Sequence, residues 1–199
     1  MESTVRAWPT VKRLIWRVSG TESLSEEIEM VLEEPLSLYI NGQQVAVLMR
    51  LPGQEKELAA GFALSEGLVS DFSSVFTIQH CGSALPADDD PNEAVSVESR
   101  NRVEMRVDPR ALNPEARMDV VRLIRAGCGA VDVDRSCMPL EPLDNDTRTD
   151  ANTLLGLPKA MKASQALHKH AGGVHAAALF GSCGEMVVLC EDVGRHNAV

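Results

Sequence analysis

The segment from Gly172 to Asn197, GGVHAAALFGSCGEMVVLCEDVGRHN, decides the fold class of this chain. Its two near-continuous apolar runs, residues 174–180 and 186–190, are joined by a short glycine-rich turn. Apolar runs of this kind are typical of strands that are buried on both faces of a sheet. The segment therefore predicts two central strands of an α/β core, followed by a polar loop and the first turn of a helix.

Upstream of this segment, strand patterns are more frequent than helix patterns. Asn41-Gly42 separates two apolar runs, and this dipeptide favours a type I′ hairpin because both central positions need a positive φ. We expect strands at residues 11–18, 28–32, 36–40, 44–50, 75–80, 95–98 and 102–107, and helices at residues 55–66, 113–127 and 158–170. The chain is thus predicted to be α/β, or α+β overall, with a β-rich portion over residues 1–110 and an α/β core over residues 111–199.

The composition is that of an ordinary globular protein. The 199 residues are 44% hydrophobic and 24% charged, which is too apolar for a disordered chain. The net charge of -10 and the 4% aromatic content argue against nucleic-acid binding, which needs clustered cations and stacking side chains. Because the sequence shows neither a long apolar run nor a signal-peptide pattern, we expect no membrane span. Five cysteines, an odd number, indicate free thiols in a reducing compartment, so we expect a cytoplasmic protein.

Cys128 is the most informative thiol, because it lies between Gly127 and Gly129 after a predicted helix that is rich in arginine. Small neighbours leave a thiolate accessible to a partner protein or a large ligand, and nearby arginine stabilises this nucleophilic form. The alternative is a small buried residue in a turn, which is a common role of free cysteine. The local pattern is compatible with both interpretations.

The remaining cysteines form no metal-binding or redox pattern. No two of them lie three positions apart with two residues between, so neither a zinc knuckle nor a thioredoxin-like pair is supported. His175 is similar to the first ligand of a zinc deaminase, but Ala177 occupies the position of the catalytic glutamate and the cysteine pair is missing. We therefore predict no metal site, and His175 either orients a ligand or is a hydrogen-bonded core histidine.

The polar loop after the second apolar run is the other candidate site. Ligands of open α/β sheets bind beyond the carboxyl ends of the strands, where this loop is expected to lie. Asp192, Arg195, His196 and Asn197 would supply charged and hydrogen-bonding groups there. A helix cap with solvated charges would give the same pattern, and Gly172-Gly173 is equally compatible with a simple helix stop.

Four segments, taken in order, resemble the formate dehydrogenase accessory sulfurtransferases, the FdhD family. They are residues 58–69 (LAAGFALSEGLV), the Gly127-Cys128-Gly129 loop, residues 172–180 (GGVHAAALF) and residues 191–199 (EDVGRHNAV). The resemblance extends from about residue 30 to residue 199, and the last two segments are the most specific.

The resemblance implies a role in sulfur relay. Members of this family take sulfur from a cysteine desulfurase as a cysteine persulfide and deliver it to the molybdenum cofactor, bis-molybdopterin guanine dinucleotide, for formate dehydrogenase. Cys128 matches the persulfide-bearing cysteine, and the fold implied is a cytidine-deaminase-like three-layer α/β/α core. We expect the cofactor to be cargo rather than tightly bound, and a homodimer is possible. The expected cargo-binding residues are Gly127, Gly129, Gly173, His175, Asp192, Gly194, Arg195, His196 and Asn197.

The chain departs from the family pattern in two places. Val131 replaces the second cysteine of the usual Cys-x-x-Cys loop, so sulfur release would rely on an outside thiol or on the cargo. The family also continues beyond the Arg-His-Asn loop, and the chain is shorter than its members. The alternative reading is therefore a non-catalytic module that binds the molybdenum cofactor or a guanine nucleotide.

Overall fold

The computed structural model describes residues 8–81, 101–113, 121–124 and 147–199, which form a mixed arrangement of helices and strands. The strands are β1 (Thr10–Ser19), β2 (Glu22–Val31), β3 (Glu34–Ile40), β4 (Gln43–Arg50), β5 (Val75–Cys81), β6 (Arg102–Val107), β7 (Arg122–Ile124), β8 (His175–Phe180) and β9 (Met186–Asp192). The helices are α1 (Glu55–Ser65), α2 (Ala151–Ser164), α3 (Ala166–His170) and α4 (Arg195–Ala198), with short 3-10 turns at Phe72–Ser74 and Pro109–Ala111. This mixture of strands and helices agrees with the predicted α+β class.

A five-stranded sheet with the order β5-β6-β3-β4-β7 forms the main body. The β3–β4 hairpin lies near its centre, and its turn has φ of 50° at Asn41 and 87° at Gly42, as the Asn-Gly signal predicts. β6 runs parallel to β3, β7 runs parallel to β4, and β5 pairs with β6 in the antiparallel sense. The predicted hairpin therefore organises the sheet.

The main core lies between this sheet and α1. Alternate residues of β3, namely Leu36, Leu38 and Ile40, are fully buried on one face of the strand. They pack in one cluster with Ala59 and Ala63, which are one helical turn apart on α1. Each buried Leu or Ile contributes roughly 1.5–3 kcal/mol of transfer free energy, so this contact fixes α1 firmly on the sheet. Gly67 then ends the helical segment in the left-handed conformation, with φ of 62°.

A long antiparallel hairpin, β1–β2, forms a second sheet of two strands. Its register runs from Thr10 opposite Val31 to Ser19 opposite Glu22. At its base, Glu29 accepts a hydrogen bond from Thr10 and lies 2.6 Å from His170 Nε2 at the end of α3. The ring of Trp8 stacks on His170, with the two centroids 5.4 Å apart. These contacts attach the base of the hairpin to α3.

The third sheet is the antiparallel pair β8–β9, which leads into α4. A small apolar cluster of Leu51, Leu167 and Val174 joins α3 and the start of β8 to the end of β4. This cluster brings α3 and the start of β8 next to the main sheet. No helix in the parts that the structure describes has the length and apolar character needed to span a bilayer.

The prediction that residues 174–180 and 186–190 are buried on both faces is wrong. Leu179 and Val187 are exposed, as is Val188. Among the described residues, β8 and β9 pair only with each other, so their outer edges and much of one face have no neighbouring layer. Apolar composition alone does not distinguish this pair from the interior strands of a larger sheet.

Two predicted helices also have different bounds from those expected. Residues 122–124, predicted as the later part of the 113–127 helix, are strand β7, because they pair with residues 46–48 of β4. The helix predicted from residue 158 begins at Ala151 instead, where the Asp150 side chain accepts hydrogen bonds from the N–H groups of Asn152 and Thr153. Pro158 lies within α2, and Ser164 ends it before the separate α3. The predicted strand at 95–98 lies outside the described residues.

Candidate functional site

Asp192 organises the turn between β9 and α4. This buried residue is the last of β9, and its carboxylate accepts hydrogen bonds from three donors. The Gly194 N–H donates at 2.7 Å, the Leu51 N–H at 3.0 Å and Asn197 Nδ2 at 2.8 Å. A buried carboxylate needs such compensation, and here the compensating groups come from both ends of the turn and from the main sheet.

Asn197 connects α4 to the edge of β4. Its Nδ2 donates to the carbonyl oxygen of Met49 at 2.8 Å as well as to Asp192. Gly194 makes this approach possible, because a Cβ at that position would lie 2.9 Å from Asn197 Nδ2. The predicted Gly-Arg-His-Asn loop is therefore held in one conformation by its own glycine, aspartate and asparagine.

Two buried charged side chains, Asp192 and Arg50, influence each other in this region. Burial raises the pKa of Asp192, and the hydrogen bonds from Gly194, Leu51 and Asn197 oppose that shift, as does the charge of Arg50. Arg50 is itself fully buried and lies 3.1 Å from Glu55 and 3.4 Å from Glu34. Burial lowers the pKa of Arg50 while both glutamates oppose the change, and the guanidinium remains charged at neutral pH.

A cleft of about 550 Å³ lies between α1 and the β9–α4 turn. One wall is the exposed side of α1, where Leu58, Gly61 and Phe62 present an apolar surface. The opposite wall contains Arg195 and His196, whose side chains are exposed and free of the network that fixes Asp192. The remaining lining residues are Leu51, Gln54, Glu57, Ser65, Glu66, Cys190, Glu191, Asp192, Asn197, Ala198 and Val199.

The lining suits a ligand that is both flat and charged. The apolar α1 wall can contact the face of a ring system, while Arg195 and His196 can bind an anionic group at the other wall. Glu57 and Glu66 place carboxylates at the α1 side, where they would accept hydrogen bonds and repel phosphate. Within the described ranges, no cluster of three or more His, Cys, Asp or Glu side chains is arranged to hold a metal ion.

Glu191 has a structural role at the edge of the cleft. Its carboxylate accepts hydrogen bonds from the N–H groups of Leu167 at 3.0 Å and His168 at 2.9 Å. These are the second and third residues of α3, so Glu191 satisfies donors that the helix leaves free at its start. The polar loop thus combines cap-like hydrogen bonds from Glu191 with the exposed side chains of Arg195 and His196.

The structure brings together five of the predicted site residues and separates two others. Five of them, Asp192, Gly194, Arg195, His196 and Asn197, belong to the β9–α4 turn, and all except Gly194 line the cleft.

The other predicted site residues lie elsewhere. His175 is exposed at the start of β8, opposite Asp192 in the strand register, but it is not among the cleft residues. Gly173 has φ of 71° and lies under the β1–β2 hairpin, where an added Cβ would be 3.3 Å from Val31. Gly127, Cys128, Gly129 and Val131 lie outside the described residues.

Sequence reasoning did not predict that α1 forms a wall of the site. Several of its cleft residues belong to the 58–69 segment, which carries part of the family resemblance. That resemblance was the one signal in the sequence that could have pointed to α1 as part of the site. Of the other thiols that the structure describes, Cys183 is exposed in the β8–β9 turn, and Cys190 is half-buried at the cleft.

Residues 31–199 match the sequence model of the FdhD/NarQ family, and the chain belongs to this family.

Curated relatives in several organisms carry the name sulfur carrier protein FdhD. The protein of Mycobacterium tuberculosis is 29% identical over 197 residues, which cover 96% of this chain and 70% of the relative. The protein of Streptomyces avermitilis is 34% identical over 196 residues, covering 96% and 67% respectively. The protein of Thermoplasma acidophilum is 35% identical over 192 residues, covering 94% and 64%. The chain thus spans roughly two thirds of the length of these relatives.

A solved structure has the same fold. It is the crystal structure of a protein described as a formate dehydrogenase accessory protein, from Desulfotalea psychrophila. The TM-score is 0.69 at 19% sequence identity, with 96% of this chain and 65% of the other chain covered. At this identity the similarity supports the fold rather than the roles of individual residues.

Proposed function

We propose that this chain is a sulfur carrier that takes persulfide sulfur from a cysteine desulfurase and delivers it to the molybdenum cofactor of a formate dehydrogenase. Membership of the FdhD/NarQ family over residues 31–199 is the observation that carries this proposal. The names of the relatives, which are sulfur carrier proteins, support the same role. In this proposal the protein acts as a cytoplasmic sulfurtransferase with Cys128 as its carrier thiol.

The sulfur-loading step is a thiol exchange. The Cys128 thiolate attacks the outer sulfur of the desulfurase persulfide, a new S–S bond forms on Cys128, and the desulfurase cysteine leaves as a thiolate. Because position 131 is Val, the loop has no second cysteine there to displace this sulfur. Release therefore requires the cargo or an outside thiol as the acceptor.

The cleft beside α1 is the proposed binding site for the cargo, bis-molybdopterin guanine dinucleotide. Arg195 and His196 would contact a phosphate, since both are exposed at the cleft and can carry positive charge. The N–H donors of a guanine ring match the carboxylate of Glu57, and the ring face matches Phe62 on the same helix. This orientation keeps the phosphates away from the carboxylates of α1.

The β8–β9 pair with its helices would be part of a cytidine-deaminase-like layered core over residues 111–199, and residues 1–110 would form the β-rich portion. The cargo would bind transiently, and two copies of the chain could bind one bulky cofactor between them.

Restoration of formate dehydrogenase activity tests this function. Cells that lack their own family member should regain formate-dependent dye reduction when this chain is expressed, and Cys128→Ser should abolish the gain. Cys183→Ser is the matched control, because Cys183 is an exposed thiol in a turn and lies outside the cleft. Equal restoration by Cys128→Ser and the wild type would contradict the carrier role.

The second candidate is a binding module without sulfur transfer, which the assembled cleft and Val131 favour. Titration with guanosine diphosphate addresses it: Arg195→Gln should weaken binding by about 10-fold or more, as expected for one charge-assisted hydrogen bond. Arg106→Gln, an exposed arginine of β6 away from the cleft, should not change the affinity. Binding that persists in Cys128→Ser, combined with full restoration of dehydrogenase activity by that variant, would favour the binding module.

A further inference from the structure

Arg50 is a buried cation at the end of β4. Its side chain is 1% exposed, and it lies on the same face of the strand as Ala46 and Leu48, which belong to the core cluster under α1. Burying a guanidinium is costly even when carboxylates surround it, and an apolar side chain often gives equal or greater stability. Stability alone therefore does not account for an arginine at this position.

The two ends of the guanidinium hold three separate segments of the chain. Nη1 lies 3.4 Å from a carboxylate oxygen of Glu34, the first residue of β3. Nη2 lies 3.1 Å from Glu55, the first residue of α1, and donates a hydrogen bond at 3.0 Å to Asn101, directly before β6. Glu55 also accepts a hydrogen bond from the Gly53 N–H at 2.8 Å. These bonds fix the start of α1, and with it one wall of the cleft, against the end of β4.

The neighbours of Arg50 in the chain hold the opposite wall. The carbonyl oxygen of Met49 accepts a hydrogen bond from Asn197 at 2.8 Å, and the Leu51 N–H donates to Asp192 at 3.0 Å. Burial raises the pKa of Asp192, and the charge of Arg50 opposes that rise. Three consecutive residues at the end of β4 therefore contact both the start of α1 and the β9–α4 turn.

We propose that Arg50 is a positioning residue that sets the spacing between α1 and the β9–α4 turn, although it does not itself line the cleft. The inference rests on the proposed function in one respect, namely that the cleft binds the cargo. A ligand that contacts Phe62 on one wall and Arg195 on the other needs both walls at the right distance. A small displacement of either wall therefore lowers its affinity, even though no contact to the ligand is removed.

Two variants that each remove one carboxylate beside Arg50 separate this role from a general effect on stability. Glu55→Gln breaks the ion pair to α1 and keeps an oxygen that can accept from Gly53. Glu34→Gln breaks the ion pair to β3, and Glu34 is not among the residues that line the cleft. Calorimetric titration with guanosine diphosphate should show at least about 5-fold weaker binding in Glu55→Gln and unchanged binding in Glu34→Gln. Urea unfolding of both variants establishes that they are folded under these conditions.

Arg50→Lys is a third variant that tests the shape of the cation. Lysine keeps the positive charge, but its single ammonium group cannot reproduce the planar fork that reaches Glu34, Glu55 and Asn101 together. It should also weaken the binding of guanosine diphosphate at least about 5-fold.

Amide hydrogen exchange in the absence of ligand tests the hold on the turn directly. The N–H groups of Leu51 and Gly194 both donate to the buried carboxylate at the end of β9. Relative to the core amide of Leu38, they should exchange at least about 5-fold faster in Glu55→Gln and at the wild-type rate in Glu34→Gln. This comparison removes any contribution from global unfolding.

Faster exchange and weaker binding that are confined to Glu55→Gln and Arg50→Lys would support the positioning role. Wild-type exchange and affinity in Glu55→Gln would overturn it, as would equal changes in Glu55→Gln and Glu34→Gln. A wild type that binds no guanosine diphosphate would contradict the proposed cargo site, and the exchange rates of the same variants would then decide the positioning role.

Discussion

At the scale of single residues, Asp192 is the group on which the geometry of the site depends. Its two carboxylate oxygens accept from the backbone of Leu51 and Gly194 and from the side chain of Asn197. All these partners are donors, so both side-chain oxygens of residue 192 must act as acceptors. Aspartate meets this requirement, which explains why a carboxylate is buried at the end of β9.

Asp192→Asn should destabilise the protein by about 1–3 kcal/mol, although the two side chains have nearly the same shape. The amide replaces one acceptor with an NH₂ group that faces a backbone donor, which leaves that donor unsatisfied. Chemical denaturation at neutral pH measures the change. Asp150→Asn is the control, because Asn is about as good an N-cap as Asp, and it should change the stability by only a few tenths of a kcal/mol. Equal effects at both positions would contradict the assignment.

The pH dependence at the base of the hairpin depends on Glu29. The hydrogen bonds from His170 and Thr10 lower its pKa below the model-compound value of 4.5. A lowered folded-state pKa stabilises the fold above pH 4.5, and this contribution is lost as the pH falls through the folded-state value.

His170→Ala should therefore raise the pKa of Glu29 towards 4.5 and reduce the loss of stability on acidification. NMR titration of the Glu29 carboxyl carbon measures the shift. His168→Ala, which removes a nearby exposed imidazole on the same helix, should leave Glu29 unchanged. An identical Glu29 titration in wild type and His170→Ala would show that the 2.6 Å contact does not form in solution.

At the scale of elements, the β9–α4 turn depends on close packing at Gly194. Gly194→Ala should destabilise the protein by about 1–3 kcal/mol, because the new methyl group displaces Asn197 from Asp192 and Met49. Gly156→Ala in α2 is the matched control. Nothing lies within 4 Å of a Cβ there, so it should stabilise the helix by about 0.5–1 kcal/mol. Urea unfolding measures both, and a stabilising effect at Gly194 would contradict the packing described.

Local signals predicted some elements well and others poorly. The Asn41-Gly42 turn and α1 agree with the sequence because positive φ and helical periodicity are properties of short segments. The helix predicted over β7 is wrong, because the strand conformation of β7 comes from pairing with β4, some 75 residues away in the chain. The predicted start of α2 at Pro158 is wrong, because the helix is capped by Asp150 and Pro158 lies within it.

At the scale of the whole molecule, the candidate site joins segments that are far apart in the sequence. That Arg195, His196 and Asn197 lie together in a turn after an apolar strand could be predicted from the sequence. The opposite wall could not, because only the packing of α1 on the sheet places Phe62 across from that turn. The register of the β1–β2 hairpin also emerges only in the folded chain.

The central claim is that this chain carries sulfur on Cys128, and intact-mass spectrometry tests it most directly. The purified chain is incubated with a cysteine desulfurase and cysteine, and its mass is compared with that of Cys128→Ser and Cys183→Ser treated in the same way. We predict a gain of about 32 Da, one sulfur atom, in the wild type and in Cys183→Ser, and no gain in Cys128→Ser. An unchanged wild-type mass, or the same gain in Cys128→Ser, would contradict the account.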